Sequence, residues 1–188
     1  MTIFIICFCL LFAVAFTLYM FYAKVIEARN QLDEASSGID VQLKKRADLI
    51  PNVLKIAKKF MTHEKEMFTE ITKLRTEAMK QPVGTSKRFG TEEKLQNAMK
   101  QLVVSVENYP QLKSDETMTK AMDAYSEVEE NIAASRRFYN AALRELKNRI
   151  QIFPGTLFAG YAKDVSNYTY FKASAEDKKK VNADDYLK

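Results

Sequence analysis

SDETMTKAMDAYSEVEENIAASRRFYNAALRELKNRIQIFPG, residues 114–155, is the stretch that decides the fold. Met118, Met122, Tyr125, Val128, Ile132, Ser135, Tyr139, Ala142, Leu146, Arg149 and Phe153 recur at steps of three and four, with no glycine or proline between them. That spacing predicts one amphipathic helix, which Pro154-Gly155 stops at about Phe153. At about 1.5 Å per residue it is a rod of roughly 50 Å or more. Ser114, followed by Asp115 and Glu116, reads as its N-cap with acidic residues in the first turn. A rod with one continuous apolar stripe buries it only against partners of similar length. The fold class expected is therefore all-α: an elongated antiparallel bundle of about four long helices with coiled-coil-like seams.

The residues upstream supply those partners. Leu32, Ala35, Ile39, Leu43, Ala47 and Ile50 form one stripe, and Pro51 is expected to end or sharply kink that helix. A second helix then carries Val53, Ala57, Phe60, Met67, Ile71, Leu74 and Ala78, with Asp48 as a candidate cap at its start. Gln81-Pro82-Val83-Gly84-Thr85-Ser86 is a loop. A third helix from about Thr91 offers Leu95, Ala98, Leu102, Val106 and Tyr109, and stops at Pro110. Tyr168, Tyr170 and Phe171 are placed to dock back on the bundle, leaving residues 173–188 as a polar tail.

The N-terminus is of another kind. No charged side chain occurs before Lys24, and an uncharged run of about 22 residues, as a helix, covers the ~30 Å hydrocarbon core of a bilayer. Tyr19 and Tyr22 suit its boundary. A cleaved signal would want a basic residue ahead of the run, and Phe16 to Tyr22 stays apolar past Ala13-Val14-Ala15. Residues 1–23 are thus expected to be an uncleaved single-pass anchor, and residues 24–172 a helical bundle. Lys24 and Arg29, then Lys44, Lys45 and Arg46, flank only the C-terminal side of the span, which puts the body in the cytoplasm by the positive-inside rule.

Little in the chain carries catalytic chemistry. His63 is the single histidine, and His63-Glu64-Lys65-Glu66-Met67 has a methionine where a zinc protease needs its second ligand. His63 and Glu64 read instead as a polar pair buried or bordering between helices. Both cysteines, Cys7 and Cys9, lie in the apolar run. No phosphate-binding or nucleophile motif occurs, so no catalytic, cofactor or metal residue is expected. The net charge is only +5, and the one clearly basic region, Lys44 to Lys59, lacks the stacking groups of a nucleic-acid reader. Glu107, Glu130 and Asn131 sit at seam positions, and a buried carboxylate needs a cation. Glu107, Glu130 and Arg136 are expected to meet across the third and fourth helices, beside Tyr139 and Asn140. Such groups either fix helix register or line a ligand site inside the bundle.

Several stretches carry a resemblance. Ile39-Asp40-Val41-Gln42-Leu43-Lys44-Lys45-Arg46-Ala47-Asp48-Leu49-Ile50-Pro51-Asn52 resembles the most characteristic stretch of the bacterial LemA family. Glu107-Asn108-Tyr109-Pro110-Gln111-Leu112-Lys113 is similar to its second motif. Glu130-Asn131-Ile132-Ala133, Arg136, Phe138-Tyr139-Asn140 and Ile150-Gln151-Ile152-Phe153-Pro154 resemble its third. The family usually has Trp near Ser36, His at Ala47 and a second Tyr-Asn at Lys147-Asn148, from which this chain departs. The resemblance implies a single-pass protein of the bacterial inner membrane with a helical bundle and no established catalytic residues. One member is associated with building magnetosome membranes, which favours scaffolding over chemistry. The expectation is a membrane-anchored scaffold or adaptor that recruits a protein partner or self-associates. The alternative is a small-ligand or lipid sensor with Glu130, Arg136 and Tyr139 in its pocket.

Overall fold

A computed structural model describes residues 1–171; the polar segment 173–188 lies outside the described residues. Helix α1 runs Thr2–Ala57, α2 Lys65–Met79, α3 Ser86–Val106, the one-turn α4 Pro110–Lys113 and α5 Glu116–Gln151, followed by a 3-10 segment over Gly155–Asn167. No strand occurs among the described residues. The chain is all-α, as the stripes require.

α1 and α5 form the long axis of the body, packed antiparallel. Val25 shares a small cavity with Glu145, Arg149 and Ile152, while Arg46, further along α1, reaches back to Glu129. α2 doubles back along the end of α1, and α3 returns beside α2. The core falls into two clusters. One, near the apolar N-terminal run, joins Val25 to Leu43 of α1 with Val128 to Leu146 of α5, Phe89 and Phe171. The other, at the far end, joins Ile50 to Met61 with Ile71, Leu95 to Val106, Leu112, Met118 and Tyr125.

Pro51 does not end the first helix. α1 continues through it to Ala57, so Val53 and Ala57 belong to α1, and α2 starts only at Lys65. A proline inside a helix leaves the carbonyl four residues back without its donor. Here that carbonyl is Ala47's, and it accepts a hydrogen bond from Arg75 Nε of α2. The orphaned acceptor has become the point where α2 is tied to α1. Pro51 itself is exposed. Asp48 accordingly caps nothing; it lies mid-helix and exposed, 3.9 Å from Arg75 Nη2.

The other helix ends differ from expectation by smaller steps. α3 begins at Ser86, where the Thr85 hydroxyl accepts from the Arg88 N–H. Pro110 does not follow α3 directly but opens α4, the first-turn position where its missing N–H costs nothing. Asp115, not Ser114, caps α5: its carboxylate accepts from Met118 N at 2.9 Å. Ser114 closes α4, its hydroxyl donating to the carbonyls of Pro110 and Gln111. Phe153 lies past the end of α5 and is exposed rather than part of the seam. The segment after the 3-10 turn docks as expected, Thr169 N donating to the Gly84 carbonyl at 3.0 Å. Gly84 has φ of 93°, and a Cβ there would strike the Tyr168 ring, so the docking needs glycine.

Candidate functional site

The two core clusters are separated by a layer of charge. On α1, Arg46 sits three residues after buried Leu43 and four before buried Ile50, so the helix carries it into the seam. On α3, Glu92 lies three before Leu95; on α5, Glu129 lies four after Tyr125. Arg46 is fully buried and donates through Nη2 to Glu92 and through Nη1 to Glu129 Oε1 at 2.8 Å. Glu92, itself buried, also pairs with Arg88 Nε at 2.7 Å. Arg88 Nη1 in turn donates to the carbonyls of Ala78 and Gln81, holding the α2–α3 turn. Two guanidinium groups and two carboxylates thus neutralise one another where α1, α3 and α5 meet.

Burial alone would draw the Arg46 guanidinium toward neutrality, but the carboxylates of Glu129 and Glu92 outweigh it and raise its pKa. Arg46 is a permanent cation. Burial pushes the Tyr125 hydroxyl beside it well above the ordinary phenol range, against the opposing pull of Arg46. This layer offers no nucleophile. Its chemistry is to set register, since sliding any of the three helices strands a buried charge.

The polar residues singled out in the sequence are distributed differently. Glu107, Glu130 and Asn131 are exposed, and the structure does not bring Glu107 or Glu130 to Arg136. The carboxylates that enter the seam are Glu92, buried on α3, and Glu129, half-buried on α5. Arg136 is half-buried, donates to Gln96 Oε1 at 3.3 Å and lies over the Phe171 ring at 5.1 Å. Tyr139 is fully buried against Phe89 and Phe171, and its hydroxyl donates to the Thr169 carbonyl at 3.2 Å. Burial also raises its pKa. Asn140 brackets Phe171, donating to its carbonyl at 2.9 Å and accepting from its N–H at 3.0 Å. Tyr109 is half-buried at the start of α4, its hydroxyl 3.5 Å from Glu64 Oε1; His63 is exposed and Glu64 half-buried, so those two are no buried pair.

Arg46 is the clearest departure from its neighbours in the basic region, since it is fully buried. Asp40, Lys44 and Lys45 are exposed. A legible signal existed for its partner: extending the Leu95–Leu102 stripe backward one and two turns lands on Glu92 and Arg88. Starting α3 at Thr91 left Arg88 outside the helix.

The exposed basic residues occupy the far end. Lys44 and Lys55 share one side of α1 by helical spacing, Lys58 and Lys59 follow in the turn after it, and all four are exposed. Lys58 also borders an open groove of about 1130 Å³ along α2. Met61 and Phe68 form its floor, Thr62, Thr69, Thr72 and Thr76 its wall, and Lys65, Lys73 and Lys80 its rim beside Glu77. The Lys58 ammonium lies 5.6 Å from the Phe68 ring centre. Among the described residues no group of three or more His, Cys, Asp or Glu side chains is placed to hold a metal ion.

A family model described as the LemA family matches residues 35–184, most of the chain. The chain belongs to the LemA family. Two curated relatives, Magnetosome protein MamQ 1 and Magnetosome protein MamQ 2 of Paramagnetospirillum magneticum, are each 24% identical over 168 residues. The match covers 76% of this chain and 62% of each relative, so the LemA-family chain spans less than two thirds of their length. Within α1, the N-terminal part is long and apolar enough to cross a membrane, with a mean hydropathy of 2.7 and no burial inside the body.

Proposed function

We propose that this LemA-family protein is a membrane-anchored scaffold or adaptor of the bacterial inner membrane, recruiting a partner that presents acidic side chains. The observation that carries the reading is the groove along α2. It combines an apolar floor with four lysines against one glutamate, a pattern suited to an acidic amphipathic segment. It also stands well away from the span. α1 continues from Ala23 to Ala57 for about 50 Å, and α2 folds back over its outer part, so the groove is out of reach of the headgroups of the same membrane. The relatives named as magnetosome proteins support a station at a membrane.

Cross-linking in native membranes tests it. Charge reversal of Lys58, Lys65 and Lys73 to Glu is expected to abolish partner capture while leaving the melting temperature nearly unchanged, because all three are exposed. Reversal of Lys44, Lys45 and Lys55 asks whether the adjoining face of α1 contributes. Capture at the native level in both sets would exclude this face as the recruiting surface.

The cytoplasmic placement of the body rests on Lys24 and Arg29 flanking only one end of the span. Protease added outside spheroplasts should leave the body whole; digestion while a cytoplasmic control survives would reverse the orientation.

A second reading, a small-ligand sensor, is favoured by a cleft of about 460 Å³ lined by Arg136, Gln96, Lys147 and the Tyr168–Phe171 segment. Glu130 takes no part in it. Its two cations already lie over rings, Arg136 over Phe171 and Lys147 over Tyr170, so the scaffold reading leads.

A further inference from the structure

The end of α5 and the turn after it leave four large apolar side chains in the open: Ile152 at 66% exposure, Phe153 at 76%, Leu157 at 63% and Tyr161 at 53%. Their place in the fold explains them. The Tyr22 ring packs edge-on against Phe158 and Tyr161, at 5.8 and 5.1 Å between ring centres. Arg29 Nη1 donates to the Tyr161 carbonyl at 3.0 Å, and Ile152 shares a cavity wall with Phe21 and Val25. The corner is therefore fastened to residues 21–29 of α1, the stretch where the apolar run gives way to charge.

We propose that this corner is a second membrane contact, seated in the headgroup region beside the span. The proposal rests on reading residues 1–23 as the span. Residues 21–29 cover only about 12 Å of helix, and the headgroup layer on each side of a bilayer is itself about 5–8 Å deep. Anything bonded to both Tyr22 and Arg29 is held at that depth. The chemistry fits it: aliphatic and aromatic side chains point outward, a tyrosine offers a hydroxyl to the boundary, and Lys24 and Arg29 stand at the same height for lipid phosphates. The corner is also fixed in shape. A Cβ on Gly155 would come within 1.8 Å of the Arg149 carbonyl oxygen, so the chain turns directly onto the last turn of α5.

The chain has no tryptophan, which makes single reporters clean. The full chain is reconstituted in phosphatidylcholine–phosphatidylglycerol vesicles with Phe12→Trp, Phe153→Trp, Leu157→Trp or Val104→Trp, the last an exposed position on α3 in the far half. Phe153→Trp and Leu157→Trp should emit blue-shifted relative to water, and lipids brominated near the headgroup should quench them by about half or more, as for groups seated about 5–10 Å into the interface. Lipids brominated near the chain ends should quench Phe12→Trp, and neither should quench Val104→Trp. If Phe12→Trp is quenched while both corner reporters emit as in water, the corner proposal falls and the span stands. Blue-shifted but unquenched corner reporters would mean that a second copy covers the corner, which also overturns it. An unquenched Phe12→Trp removes the span reading and the corner with it.

Discussion

An Arg46→Ala chain is expected to lose about 3–5 kcal/mol of folding stability, the largest loss of any single charged-residue change in the body. The reason is specific. Arg46 is the cation that pairs with both buried Glu92 and half-buried Glu129, and removing it leaves Glu92 enclosed with Arg88 alone. The cavity left by a fully buried guanidinium adds to the cost. Urea unfolding of the full chain in detergent micelles, followed by helical circular dichroism, measures it. Arg46→Met combined with Glu92→Leu removes charge of both signs and should cost less than the sum of the two single losses. Arg136→Ala provides the contrast: that side chain is half-buried against Gln96 and the Phe171 ring, and its loss is expected at about 1 kcal/mol. If Arg46→Ala and Arg136→Ala cost the same, the charged layer does not have the role assigned to it.

Phe12→Arg together with Val14→Arg is expected to abolish membrane retention. Both positions lie near the middle of the apolar run, where each arginine costs about 3 kcal/mol of insertion free energy. Together that is about 6 kcal/mol or more, a factor of roughly ten thousand in partition. The native chain should stay in the pellet after carbonate extraction and the double variant should appear in the supernatant. Retention of the variant would mean that something other than this run holds the protein. An intact mass beginning at Phe16 would show instead that the run is removed.

The long seam of α5 was legible because nothing interrupts it: an unbroken three-four repeat from Met118 to Leu146 admits one helix and demands a partner as long. Pro51 was misread for a physical reason. The rule that proline breaks a helix considers the lost N–H locally, whereas the replacement donor, Arg75, comes from another helix. The charged layer was half legible. A seam carboxylate on α5 was expected, yet Glu130 and Glu129 differ by one residue, about 100° of rotation, and only the packing against α1, whose Arg46 pairs with Glu129, decides which turns inward. The corner at Ile152–Tyr161 was not legible, because its meaning lies in proximity to Tyr22 and Arg29, more than a hundred residues away in the chain.

The continuity of α1 through Pro51 has a mechanical consequence. With residues 1–23 read as the span, span and outer arm are one continuous helix, so the angle taken inside the bilayer is the angle taken by the whole arm. A helix in a membrane tilts to match local thickness, and over an arm of about 50 Å each 10° of tilt carries the tip about 9 Å sideways. The lysine-rimmed groove near that tip is swept with it. A change of bilayer thickness too small to alter any contact within the body is thereby converted into a displacement the size of a helix diameter, like the needle of a gauge whose pivot is the membrane itself.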